Sequence, residues 1–116
     1  MCQGRHVEFG VTLAEHGGIP IVRVGGELDI HTAPQLEAVV IPAITPQARL
    51  IIDGEALGFA DSTGLSLFIK AHKRAADAGG RLDLVLPPEV RRVVDMAGLT
   101  DVLNVHESLQ DAIEAG

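Results

Sequence analysis

The stretch FADSTGLSLFIKAH, residues 59–72, decides the fold. Phe59 and Ala60 close an apolar segment, Asp61-Ser62-Thr63-Gly64 is a polar corner, and from Leu65 onward the apolar residues recur at helical spacing. Leu65, Phe68, Ile69, His72, Ala75 and Ala76 fall on one helical face, with Ser66, Lys70, Lys73, Arg74 and Asp77 on the other. Strand, tight corner and amphipathic helix make half of a βαβ unit, and the same alternation recurs on both sides of it.

Upstream, residues 49–53 are a short, nearly continuous apolar run, the signature of a strand covered on both faces. Before it, Thr32 and Gln35 stand at capping-box spacing with Pro34 in the first turn, and Leu36, Val39, Val40 and Ala43 follow at helical spacing. Pro42 lacks an N–H and crowds the preceding turn, which predicts that this helix ends or kinks near Val40 or Ile41. Residues 6–14 alternate Val7, Phe9, Val11 and Leu13 against polar or small residues. The turn Glu15-His16-Gly17-Gly18 and a second strand over 19–24 then complete an antiparallel hairpin.

Downstream, Gly79-Gly80 stops the long helix, residues 81–86 form a strand closed by Pro87-Pro88, and Val90, Val93, Val94 and Ala97 mark a short helix ended by Gly98. A last strand is expected over 102–105. Ser108 with Asp111 opens a final helix that turns Leu109, Ala112 and Ile113 inward.

Strands alternating with helices specify a largely parallel sheet, with an antiparallel strand at its N-terminus. In such a sheet every strand-to-helix corner emerges at one edge, where open α/β sheets place their sites. The corners over 26–31 and 54–62 and the start of Pro87-Pro88 should therefore lie together.

Composition narrows the function classes. A chain of 116 residues, 47% hydrophobic and 22% charged, has the size and polarity of one folded domain with one core. A net charge of −7 opposes sequence-independent binding to nucleic acid, which needs clustered Lys and Arg against phosphates. The apolar runs over 39–44 and 50–52 are far short of the roughly 20 residues that cross a bilayer, so no membrane segment is expected. The N-terminus MCQGRHVEFG carries no apolar export core, which makes the cytoplasm the expected compartment. Cys2 has no partner thiol, and no two of the five His residues stand four apart, so neither a metal nor another cofactor is expected.

Ser62 admits three readings. Asp61 or Ser62 caps the helix, contributing about 1 kcal/mol. Alternatively, Ala60-x-Ser62-x-Gly64 approximates a nucleophile elbow, with Asp83 or Asp95 and then His106 in a permissible order, although the first Gly is Ala and the chain is short for a hydrolase sheet. Or the hydroxyl accepts a phosphate, whose charge of about −1.5 to −2 a helix N-terminus with free N–H groups tolerates.

The segment Val24-Gly25-Gly26-Glu27-Leu28-Asp29 with Thr32-Ala33-Pro34 resembles the "GELD…TA" signature of the anti-sigma factor antagonists in the STAS domain family. Ile51-Ile52-Asp53, the corner over 59–65, Met96-Ala97-Gly98-Leu99 and Val102-Leu103 match as well. The similarity runs from about residue 7 to 115, making residues 1–116 a single STAS domain. It implies a four- to five-stranded mixed, mostly parallel sheet with about four helices, mainly on one side. It also implies a non-enzymatic partner switch. An anti-sigma factor with an ATP-binding serine kinase fold phosphorylates the serine after the motif aspartate, here Ser62. The unphosphorylated antagonist binds that factor and frees sigma, phosphorylation ends the binding, and a phosphoserine phosphatase restores it.

By motif position, the resemblance makes Ser62 the acceptor and Asp61 its orienting neighbour. Asp29, Ile30, His31, Thr32, Thr63, Gly64 and Leu65 complete the partner-binding surface. Each has a plainer reading: Asp29 bonding its own loop, Thr32 a cap, Gly64 permitting close packing, His31 merely exposed. A STAS module of a stress-signalling complex or lipid-transport system, without a sigma factor, is the alternative assignment. A weak homodimer is the expected oligomeric state.

Overall fold

Chain order in the computed structural model is β1 (Gly10–His16), β2 (Ile19–Leu28), α1 (Ala33–Ala43), β3 (Arg49–Ala60), α2 (Ser62–Asp77), β4 (Arg81–Val85), α3 (Pro88–Met96), β5 (Val105–His106) and α4 (Leu109–Ala115). The structure describes residues 8–115. Cys2 and the expected strand start at His6 and Val7 lie outside that range. The strands form one five-stranded sheet in the order β1-β2-β3-β4-β5, with β1 antiparallel to β2 and every other pair parallel. No helix among the described residues is long and apolar enough to cross a membrane.

Period-two alternation explains why β3 reads as a continuous apolar run. Leu50 and Ile52 face one side with Val22, Val24, Leu82 and Leu84. They pack there against Leu36 and Val40 of α1, Phe68 and Ala71 of α2, and Val90 and Val94 of α3. Ile51 faces the other side with Ile21 and Val85, under Ala112 of α4. Three helices thus cover one face, and α4 lies on the opposite one.

Several boundaries differ from expectation. The hairpin turn is Gly17-Gly18 alone, so β1 runs on to His16. Strands β2 and β3 continue to Leu28 and Ala60, well past the expected corners, as a two-stranded ribbon beyond the last β4 pairing at Asp53. With no strand on the outer side of β3 beyond Asp53, this ribbon leaves Glu55, Ala56, Gly58 and Phe59 exposed and reads as loop in sequence. Pro42 lies inside α1, which reaches Ala43; its missing N–H leaves the Ala38 carbonyl without an i→i−4 partner, and the helix ends one residue later. On α2 the buried positions are Gly64, Leu65, Leu67, Phe68, Ala71 and Ala75, a face rotated from the expected one. His72 stands at its boundary, with Nδ1 buried and without a hydrogen-bond partner among the described residues. The last strand is Val105–His106, shorter and later than expected.

On the α4 side, Asp83 is fully buried and accepts from Arg81 at 3.0 Å and from Arg49 at 3.1 Å, with His106 Nε2 at 2.9 Å. Arg49 also donates to the carbonyls of Ala112 at 2.7 Å and Ile113 at 3.2 Å. One carboxylate therefore braces β3, β4, β5 and the end of α4. Burial pushes the Asp83 pKa up, but the hydrogen bonds from Arg81, His106 and Arg49 outweigh it and hold the group below its ordinary value.

Because the folded-state pKa is depressed, this contribution is present above the unfolded value of about 3.9 and is lost as pH falls below it through the folded value. Asp83→Asn should lower unfolding free energy by about 3 kcal/mol, the low end for breaking a buried ion pair, since both arginines keep some solvent contact. Urea denaturation measures the loss, and it should be absent in acid titrations below the folded pKa. Amides of α4 should exchange faster in the variant.

Candidate functional site

The corner after β3 is a single residue, Asp61, in extended conformation. Its Oδ1 accepts from Thr63 N–H at 2.9 Å and Gly64 N–H at 3.2 Å, so Asp61 is the N-cap of α2. Its backbone N–H donates to Leu28 O at 3.1 Å, which ties the corner to the end of β2. Ser62 follows as the first helical residue. It is exposed, and its hydroxyl makes no hydrogen bond among the described residues. The cap reading thus belongs to Asp61 and leaves the Ser62 oxygen free.

The neighbouring corner is a closed turn. Asp29 Oδ1 accepts from His31 N–H at 2.9 Å and Thr32 N–H at 3.1 Å, and the Asp29 carbonyl receives Ala33 N–H at 2.8 Å. Thr32 Oγ1 donates to Glu27 O at 2.7 Å and accepts from Asp29 N–H at 2.9 Å. The expected capping box of Thr32 and Gln35 does not form. Thr32 is the N-cap residue, with αR dihedrals that keep its side chain from the first-turn N–H groups; its hydroxyl turns back to the strand end, and the Asp29 carbonyl accepts the first N–H of α1. The amide hydrogen bond from His31 holds the Asp29 carboxyl below its ordinary pKa, against some desolvation and with help from Thr32. Asp29 therefore does bond its own loop, and in doing so it fixes the presentation of Ile30 and His31.

Ile30 is 66% exposed, and Phe59 at the end of β3 is 48% exposed. A groove of about 280 Å³ between α1 and α2 is lined by Ile30, Pro34, Thr63, Ser66 and Leu67, with the Glu37–Lys70 ion pair at 2.6 Å across it. Ile30 and Thr63 thus come together on one surface. Two expected surface residues do not: Gly64 is buried, and Leu65 is 8% exposed within the core. On a helix that begins at Ser62, positions 64 and 65 turn back toward the sheet, so a partner would not meet their side chains. Phe59, Pro34, Glu37 and Ser66 were not legible as candidate site residues. Glu37 and Lys70 carry no local signal of their pairing, and Phe59 reads as a core strand residue.

The elbow reading fails on geometry. His106 and Asp83 form the brace on the α4 face, bonded to each other at 2.9 Å, whereas Ser62 opens a helix on the other face. The model of the STAS domain family matches residues 11–112. The chain belongs to the STAS domain family.

Within the family, the chain is 33% identical over 91 residues to an anti-sigma-B factor antagonist of Staphylococcus aureus, covering 77% of this chain and 84% of that one. A crystal structure of an anti-sigma factor antagonist from Mycobacterium paratuberculosis superposes with a TM-score of 0.84 at 28% identity, covering 93% of each chain. Bacillus SpoIIAA in its phosphorylated form superposes at 0.64 with 27% identity, covering 93% of this chain and 98% of that one.

Asp61→Ala should cost about 1 kcal/mol in thermal or urea unfolding, with Asp61→Asn close to wild type, as expected for a cap. A Cβ at Gly64 would sit 2.8 Å from Leu28 Cδ2. Gly64→Ala gains helix propensity of at most about 1 kcal/mol, against an overpacking cost of about 1–3 kcal/mol. Net destabilisation of about 1 kcal/mol is expected, with amide shifts at Leu28 and Asp29 in NMR spectra.

Proposed function

We propose that this STAS domain is an anti-sigma factor antagonist switched by phosphorylation of Ser62. The supporting observation is the exposed Ser62 hydroxyl, with no hydrogen bond among the described residues, on a helix start that Asp61 already caps, beside an apolar groove. A group added to that oxygen meets no packed atoms, so the fold tolerates either state. The relatives' names give the partner class, and a phosphorylated form is known for SpoIIAA.

In this reading, the unphosphorylated edge docks on an anti-sigma factor with an ATP-binding serine kinase fold. Ile30, Thr63 and the groove supply apolar contact, and Asp29, His31, Thr32 and Asp61 the polar rim. The kinase transfers a phosphoryl group to Ser62 Oγ, whose proton is lost, and ADP leaves. The free N–H groups expected to receive that phosphate are partly taken, because Thr63 and Gly64 already donate to Asp61. The new charge of about −1.5 to −2 is then poorly neutralised and adds to Asp61 and Asp29. Like-charge repulsion and desolvation in an interface cost several kcal/mol, enough to weaken binding by roughly 100-fold or more. A phosphoserine phosphatase resets the switch.

Incubation with the cognate anti-sigma kinase and ATP, followed by mapping of the modified residue, tests the assignment. Ser62→Ala should bind the kinase and take no phosphate. Ser62→Asp should bind at least about tenfold more weakly, with a Tm within a few degrees of wild type. Wild-type affinity of the Asp variant, or phosphate found only on Thr63, would overturn it.

A further inference from the structure

The two edges of the sheet are built differently. β5 is two residues long, too short to template another strand. β1 is seven residues, GVTLAEH, paired to β2 in unbroken register, with no other described strand beside it; its one charge is Glu15 near the turn, and it has no Pro, no Lys and no bulge. On it Leu13 is 64% exposed, a large apolar side chain on an open edge.

The register fixes which backbone groups are free. Gly17 and Gly18, with φ of 57° and 86°, make a two-residue turn of the primed type, so the closing pair His16–Ile19 exchanges both hydrogen bonds. Bonded pairs then alternate along the ladder: Ala14–Ile21, Thr12–Arg23 and Gly10–Gly25. Pro20, which has no N–H to give, sits opposite Glu15 in a non-bonded pair, as this phase requires. The N–H and C=O groups of Val11, Leu13 and Glu15 therefore point outward, away from β2.

We propose that β1 is a self-pairing edge: two copies join antiparallel about a two-fold axis at Leu13 and form one continuous sheet. About that axis Leu13 meets Leu13, Val11 meets Glu15 and Thr12 meets Ala14 of the second copy, while His16 meets Gly10. All three outward residues are used, and no like charges face each other. Centring the axis on Thr12 or Ala14 would leave one of the three unpaired. The pairing is isologous, so it closes at two copies. An interface of one short strand and one leucine falls at the small end of specific interfaces, giving a dissociation constant on the order of 100 µM. Strand β2 separates this edge from β3 and Ser62, so the pairing does not depend on the proposed switch.

Sedimentation equilibrium from about 10 µM to about 1 mM should show a monomer–dimer equilibrium. In the same range, amide exchange of wild-type protein should slow at Val11, Leu13 and Glu15 and stay constant at Thr12, Ala14 and His16, which are already bonded. Leu13→Lys and Leu13→Asp should each self-associate at least about tenfold more weakly, and an equimolar mixture of the two should recover association. A protein monomeric at the highest concentration overturns the proposal. So does a dimer in which the three outward amides stay unprotected, or one in which both charged variants pair as wild type does.

Discussion

The hydrogen bond from Asp61 N–H to Leu28 O, 3.1 Å long, joins the two strand ends on which the candidate site is built. It extends by one residue the pairing of β2 and β3, which runs to Leu28 and Ala60 beyond the last β4 pair at Asp53. Gly64 sharpens the same constraint: α2 starts close enough to Leu28 that a single added carbon would collide. The turn at Asp29 and the start of α2 are therefore held as one surface, and every feature of the site inherits its position from that contact.

Capping and the proposed modification use different atoms at this corner. Asp61 supplies the carboxylate that satisfies the helix N–H groups, leaving the adjacent hydroxyl without a structural task. A serine that both capped and accepted phosphate would couple fold stability to modification state, because modification would remove the cap. Here the cap on Asp61 would stay in place if Ser62 carried a phosphate, whose energetic effect would then fall on the proposed binding surface. The acidity of the neighbourhood gives that effect its sign.

Much of this was legible in the sequence, for identifiable reasons. The layered fold follows from period-two and helical spacings that packing leaves intact, as in residues 49–53 and in α2. The corner at residues 61–64 was legible because a polar, glycine-containing turn between an apolar segment and an amphipathic helix has few other interpretations. Strand lengths were not: Gly25, Gly26, Gly54 and Gly58 read as loop, although the ribbon needs only one partner and accepts small residues. Asp83 was also opaque. A carboxylate in an apolar strand signals burial, and Arg81 stands two residues away on the same face of β4, but Arg49 and His106 lie on other strands with nothing in the local pattern to pair them. Leu65 was misplaced because motif position says nothing about which way a helical side chain turns.

The buried Asp83 brace sits on the α4 face, while the candidate switch edge is built at the far ends of β2 and β3. The brace and the proposed docking edge therefore share no residue, although Asp61, Asp29 and Thr32 hold the edge together as well as line it. On the proposed reading, substitutions around Ile30 and Thr63 would alter the docking edge while leaving the ion pairs of Arg49, Arg81 and His106 with Asp83 untouched. A scaffold partitioned in this way is suited to duplication, each copy inheriting the same frame and free to acquire its own correspondent.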